Sequence, residues 1–157
     1  MRTRTLVGAM LVAVVCAAAP AAGALSPGPA EPPDAAIADG SAQRALDRAR
    51  ARWKAAGVRS YRVRVALRCF CPPQITKPRT LTVRRGSPVR PPSHLTKVAT
   101  VPRMFRVIQK AIDGRVVGLT ALYGARGVPK SIAIDVSGMI IDEESAYTID
   151  RFVKLTG

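Results

Sequence analysis

The chain has 157 residues, with 25 Lys or Arg, ten Asp or Glu and a formal net charge of +15 at pH 7. This length is typical of a single domain around one hydrophobic core, which argues against a large multidomain protein. The excess of positive charge favours an anionic partner. Aromatic residues make up only 4% of the chain, which disfavours a surface that stacks nucleic-acid bases.

The N-terminus has the three parts of a secretory signal peptide, which we place at residues 1–24. Two arginines lie within the first four residues, an apolar run covers residues 6–19, and small residues precede Leu25. We expect signal peptidase to cleave between Ala24 and Leu25. The sequence therefore predicts a secreted or extracytoplasmic protein.

Two other uses of the apolar run are less favoured. A helix that spans a bilayer needs roughly 20 apolar residues, whereas this run has about 14 before Pro20. Lipid attachment at Cys16 is disfavoured because Val15 stands where lipoprotein signals have a small residue. We therefore expect no transmembrane segment after the signal is removed.

Residues 25–40 are rich in Pro and Ala and contain almost no bulky apolar side chain. Such a composition buries too little apolar surface to offset the entropy that is lost on ordering. We predict a disordered tether over residues 25–40 and one folded domain over residues 41–157. Without residues 1–24 the chain keeps 23 basic and ten acidic residues, a net charge of +13.

The periodicity of apolar residues predicts the order α-β-β-α-β-β-β. One helix begins after an N-cap at Ser41 and ends at Gly57, and the other begins after Thr100 and ends at Gly114. We expect an α+β fold, a single small domain with a mostly antiparallel sheet and the helices on one face. The first predicted strand begins at Tyr61. The other four cover Thr80–Arg85, Val116–Tyr123, Lys130–Val136 and Tyr147–Leu155.

Positive charge is concentrated in one half of the chain. Eighteen Lys or Arg residues lie between Arg44 and Lys110, against the single acid Asp47. Alternation along the first strand places three arginines on one face, and the next strand brings further arginines beside them. The candidate residues for binding an anionic partner are Arg62, Arg64, Arg68, Arg84 and Arg85.

Three interpretations of this charge remain open. The arginines form a solvated surface without a partner, which is the common role of a charge run. Alternatively, they dock the protein onto anionic envelope material such as teichoic-type polymers, anionic lipid headgroups or an acidic protein. Nucleic acid is the least favoured partner because the protein is exported and poor in aromatic residues.

Only Cys69 and Cys71 remain after removal of the signal, so an intramolecular disulfide, if one forms, must join these two residues. In an extended strand their Cα atoms would lie about 6.5 Å apart, near the upper limit for a bridge. Closure therefore requires a bend at Phe70, which the following Pro72 and Pro73 help to hold. Free buried thiols, thiol–disulfide exchange and soft-metal binding remain alternatives, although two thiolates are too few for a closed zinc site.

The sequence contains no recognisable catalytic constellation. The sole histidine, His94, lies in a Pro-flanked loop without an evident nucleophile or orienting partner, and we interpret it as solvated. The acidic residues 142–144 lack the spacing of a cation-binding loop and are interpreted as a solvated loop. We therefore expect a non-enzymatic binding or accessory module without cofactor or metal, the alternative being a Cys-x-Cys redox or soft-metal protein.

Several short motifs follow one another in a specific order along the chain. They are Trp53, Tyr61, Cys69, Cys71, Thr100-Val101, Met104-Phe105, Tyr123-Gly124, Gly127-Val128-Pro129, Asp135, Asp142-Glu143-Glu144, Tyr147 and Phe152. Their order resembles a family of short secreted or lipid-anchored bacterial proteins catalogued as domain-of-unknown-function family 6174. Two residues of the family pattern, an Asp after a Tyr and a Tyr between Gly and Pro, are replaced here by Gly124 and Val128. The resemblance implies a fold and a secreted location, and no activity.

Overall fold

The structure, a computed structural model, describes residues 31–138 and 145–156. The predicted signal peptide with its cleavage site between Ala24 and Leu25 lies outside the described residues, as does the acidic segment 142–144. Within the described part of the chain, the predicted helices and strands occur in the predicted order, and two four-residue helices and one two-residue strand are present in addition.

The two predicted long helices are present. Helix α2 begins at Ser41 itself, with Gly40 as its N-cap, so Ser41 is one position inside the predicted boundary. Helix α4 begins as predicted, because the Thr100 hydroxyl accepts a hydrogen bond from the backbone N–H of Arg103. The α-helices of the described residues are α1 (Ala35–Ala38), α2 (Ser41–Ala56), α3 (Pro73–Thr76) and α4 (Val101–Asp113), with 3₁₀ turns at Ser93–Val98 and Ala125–Gly127.

Six strands form one sheet in the order β3-β2-β1-β6-β5-β4, and every pairing between neighbours is antiparallel. The C-terminal strand therefore lies in the middle and joins two hairpins. This confirms the predicted α+β fold with an antiparallel sheet. The strands are β1 (Tyr61–Arg68), β2 (Arg79–Arg84), β3 (Ser87–Pro88), β4 (Gly118–Tyr123), β5 (Pro129–Asp135) and β6 (Ser145–Lys154).

The core lies between α2, α4 and one face of the sheet. Alternate residues of β1, namely Tyr61, Val63 and Val65, are buried against apolar side chains of both helices. The Tyr61 hydroxyl accepts a 2.8 Å hydrogen bond from the backbone N–H of Val101, a donor that has no partner within its own helix. The helix residues buried in this core are Leu46, Ala49, Val101, Met104, Phe105 and Ile108.

The second half of the predicted tether is ordered, which corrects the prediction for residues 34–40. Asp34 caps α1 through a 2.8 Å hydrogen bond from the Ala36 N–H, and its other carboxylate oxygen accepts a 3.1 Å bond from the Leu119 N–H. Ile37 is buried against Val116 and against Ala111 of α4. Composition alone predicted disorder because it could not show that Ile37 packs against α4 or that the Asp34 carboxylate accepts a hydrogen bond from β4.

A bulge in β6 determines which side chains of that strand reach the core. Arg151 has a φ of 48°, and the register with β1 shifts at this point. The extra residue turns Phe152 to the same side of the sheet as the buried Ile149. Phe152 then packs against Trp53 and Tyr61, with ring centroids 5.9 and 5.2 Å apart.

Candidate functional site

The face of the sheet turned away from α2 and α4 carries four of the five predicted arginines. The pairing of β1 with β2 sets Arg62 opposite Thr82 and Arg64 opposite Thr80. Strand alternation then places Arg68 and Arg84 on the same side. Arg62, Arg68 and Arg84 are exposed and Arg64 is half-buried. We call this side the open face.

Arg85 lies apart from the strand alternation. Strand β2 ends at Arg84, and Arg85 begins the turn to β3 with a φ of 49°. Its backbone N–H donates a 3.1 Å hydrogen bond to the Ser60 hydroxyl. The second strand therefore ends one residue earlier than predicted, and Arg85 is an exposed residue of the turn that follows it.

The arginines of the open face are free to meet a ligand. Among the described residues the only ion pair within 4 Å joins Arg50 and Asp47 on α2, at 3.3 Å. Among the described residues, no side-chain hydrogen bond engages Arg62, Arg64, Arg68 or Arg84. The nearest acid by strand pairing is Asp150, which lies opposite Arg64 on β6.

A depression of about 550 Å³ opens on this face between the end of β1 and the end of α3. Two of the candidate arginines reach it, and one of the cysteines does too. The depression thus combines guanidinium groups, hydroxyls and a sulfur atom within one concave surface. Its lining includes Arg64, Arg68, Cys69, Thr76, Thr148 and Asp150.

Cys69 and Cys71 are paired in the structure, with their Cα atoms 5.2 Å apart. This separation is within the usual range for a disulfide and shorter than an extended strand provides. Strand β1 stops at Arg68, and the chain bends at Phe70 as the pairing requires. The bend leaves the Phe70 side chain 100% exposed at its tip.

His94 is not in an open loop, in contrast to the prediction. It belongs to the 3₁₀ turn Ser93–Val98 and is half-buried, and its Nε2 atom is buried without a hydrogen-bond partner among the described residues. Residues 91–92, two prolines, lead into this turn. Nothing in the described part of the chain supplies a carboxylate to orient the ring.

Across residues 31–138 and 145–156 there is no group of three or more His, Cys, Asp or Glu side chains placed to hold a metal ion. No helix in these ranges is long and apolar enough to span a bilayer.

A second basic surface, along α4, was not predicted. Arg103, Arg106 and Lys110 recur at three- and four-residue intervals beside a groove of about 690 Å³. The helical spacing is visible in the sequence. The groove is not visible in the sequence, because it depends on where α4 lies relative to β5 and β6.

Comparison with known proteins identifies a family. The model of a family of unknown function (DUF6174) matches residues 45–154, which include β1 to β6, α4 and most of α2. No match is found among curated proteins or among solved structures. The predicted resemblance is confirmed, and the chain belongs to the family of unknown function DUF6174.

Proposed function

We propose that this chain is a non-enzymatic, extracytoplasmic binding module that docks on an anionic polymer of the cell envelope through the open face of its sheet. The observation that carries the proposal is the unpaired state of Arg62, Arg64, Arg68 and Arg84 on one side of the sheet. The location rests on the predicted signal peptide, residues 1–24. The alternative of a merely solvated surface predicts no such docking.

The spacing of the arginines favours a linear ligand. Residues two apart on a strand are separated by about 7 Å, and neighbouring strands by about 4.8 Å. Arg62, Arg64 and Arg68 therefore form a row along β1, with Arg84 beside it on β2. A teichoic-type polymer presents repeated phosphates, and guanidinium groups bind phosphate oxygens in a two-pronged geometry. Such a polymer meets several arginines at once, whereas a single headgroup meets one.

The test is binding of poly(glycerol phosphate) to the purified chain and to a variant with Arg62, Arg64 and Arg68 replaced by Gln. We expect this variant to bind at least about tenfold more weakly, because charge-assisted hydrogen bonds are lost. Affinity of the unaltered chain should fall as salt rises from about 0.05 to about 0.5 M, since salt screens exposed charges.

The matched control removes the same charge from α2. Arg48, Arg52 and Lys54 are exposed there, and their replacement by Gln should leave most of the affinity intact. Affinity that is indifferent to salt, or equal losses in both triple variants, would contradict docking through the open face.

A second candidate function is thiol–disulfide exchange at Cys69 and Cys71. The observation that favours it is the position of Cys69 in the depression beside Arg64 and Arg68. Nearby arginines stabilise a thiolate and so increase its reactivity. In the reaction, two small-molecule thiols reduce the pair to a dithiol and leave as one disulfide. The fraction of reduced Cys69 and Cys71 can be measured by alkylation and mass spectrometry after equilibration in glutathione buffers of defined potential. A cysteine pair that stays oxidised at cellular potentials would exclude this function.

A further inference from the structure

The groove along α4 has an apolar floor. It lies between α4 and the end of the sheet where β5 stops and β6 begins, and its volume of about 690 Å³ is within the range of small-molecule sites. The floor joins side chains from the helix and from the sheet. The apolar residues that line it are Val107, Ala111, Val116, Ile134, Val136 and Tyr147.

The exposure of Val136 shows that the described residues leave part of this floor uncovered. Val136 continues the alternation of Ile132 and Ile134, which face the helices, yet 52% of its side chain is exposed. About half of the surface of this valine is therefore left uncovered by the described residues, although it lies on the helix-covered side of the sheet. Covering it with an apolar group removes hydrocarbon surface from water and is therefore favourable.

The rim of the groove is cationic. Lys97, Arg103, Arg106 and Lys110 line it, and none of the described lining residues is an acid. Arg103 is held in place by a 2.9 Å hydrogen bond from its Nη1 to the Thr96 carbonyl oxygen. The side chains of the other three make no ion pair with any described residue. The rim thus offers several positive groups to one negative headgroup.

The two parts of the groove together select one class of ligand. An inorganic anion would pair with the cations of the rim but leave the apolar floor exposed to water. A neutral lipid would cover the floor but leave the cations of the rim without a negative partner. The limited volume suits one chain rather than a bilayer. We propose that the groove binds a free single-chain lipid anion, with its acyl chain on the floor beside Val136 and its headgroup between Arg106 and Lys110. The groove and the open face lie on opposite sides of the sheet, so this inference does not depend on polymer binding.

Isothermal titration of the purified chain with monomeric dodecanoate tests the proposal. We expect one site, and at least about tenfold weaker binding for acetate and for dodecyl maltoside, which lack the chain and the charge respectively. Replacing Arg106 and Lys110 by Gln should weaken dodecanoate binding by about tenfold. Val136→Asp, which places a charge on the floor, should weaken it by at least as much.

Matched controls separate the groove from general effects. Arg48→Gln with Arg52→Gln removes the same charge from α2, and Val153→Asp alters a residue that is 54% exposed on the open face. Both should bind dodecanoate like the unaltered chain. An unfolding curve for each variant verifies the fold, and the glutamine pair still tests the groove if the Val136 variant is unstable.

Four outcomes would overturn the proposal. Equal binding of dodecanoate and dodecyl maltoside would show that the headgroup does not bind at the rim. An unchanged affinity after replacement of Arg106 and Lys110 would show the same. Binding to anionic vesicles without binding of free dodecanoate would assign the groove to a membrane surface. Self-association that Val136→Asp abolishes, without dodecanoate binding, would assign it to a second copy of the chain.

Discussion

At the scale of single residues, Asp150 has the most direct influence on the open face. It is exposed, and the register of β6 against β1 sets it opposite Arg64. It forms no ion pair within 4 Å among the described residues. Its carboxylate therefore repels a polyanion from the middle of the arginine row without fixing an arginine in place.

Asp150→Asn should strengthen binding of poly(glycerol phosphate). The expected gain is about twofold at low salt, because an exposed charge contributes of the order of 0.5 kcal/mol. Titration at two salt concentrations measures it, and the gain should shrink at the higher one. Asp113→Asn, which removes an acid from α4, serves as the control. If both variants gain equally, net charge alone governs the binding and Asp150 has no special position.

At the scale of elements, the 3₁₀ turn Ala125–Gly127 fastens the β4–β5 hairpin to α2. Gly127 is buried with a φ of 77°, and a Cβ atom there would overlap the backbone carbonyl oxygen of Ala49. Only glycine combines this conformation with such a close approach to another backbone. The Gly127-Val128-Pro129 motif, on which the family resemblance partly rests, thus includes a contact with helix α2.

Gly127→Ala should destabilise the chain by about 3 kcal/mol or more, since left-handed strain and backbone overlap add. Gly57→Ala is the matched control: Gly57 has a φ of 59°, but a Cβ there meets nothing within 4 Å. It should cost only about 1 kcal/mol. Urea unfolding measures both free energies. Equal losses in the two variants would show that the contact with Ala49 does not constrain the turn.

At the scale of the whole molecule, all three tyrosines of the chain contribute to the packed interior. Burial raises the pKa of Tyr61 to about 12, partly offset by its hydrogen bond with Val101. Burial likewise raises the pKa of Tyr123 to about 12, with Arg50 and Arg52 opposing the shift, and raises the pKa of Tyr147. In an unfolded chain a tyrosine ionises near pH 10.

The folded chain should therefore lose stability as the pH rises from about 10 to about 12. In this pH range the folded state keeps tyrosine protons that the unfolded state releases, so the free energy of unfolding falls as the pH rises. Below about pH 10 the tyrosines are protonated in both states and do not change the free energy of unfolding. Phenolate absorbance and urea midpoints at pH 8, 10 and 11.5 measure this. The loss should be roughly 2 kcal/mol from Tyr61 alone.

Tyr61→Phe provides the control for this prediction. It should cost about 1 kcal/mol at pH 8, because the buried N–H of Val101 loses its acceptor. Above pH 10 the variant should lose less further stability than the unaltered chain. Tyrosines that ionise near pH 10 in the folded chain would contradict the burial of their hydroxyl groups.

The sequence by itself determined the properties that depend on neighbours along the chain. Alternation in β1 placed Arg62 and Arg64 together, and helical periodicity with the Thr100 cap located α4. The number of cysteines left after the predicted signal peptide limited any intramolecular disulfide to Cys69 and Cys71, and the family followed from the order of short motifs. These features are local because a strand repeats every two residues and a helix every three to four, whatever packs against them.

Only the tertiary structure decided the properties that depend on contacts between distant segments. Pairing of β6 between β1 and β5 brought Asp150 to Arg64, and the bulge at Arg151 turned Phe152 into the core. Asp34 and Ile37 became ordered because α4 and β4 offered them partners, which their own composition could not show. The groove beside α4 has the same origin: periodicity reveals a basic stripe on a helix, but the apolar floor beneath it exists only where the helix meets the sheet.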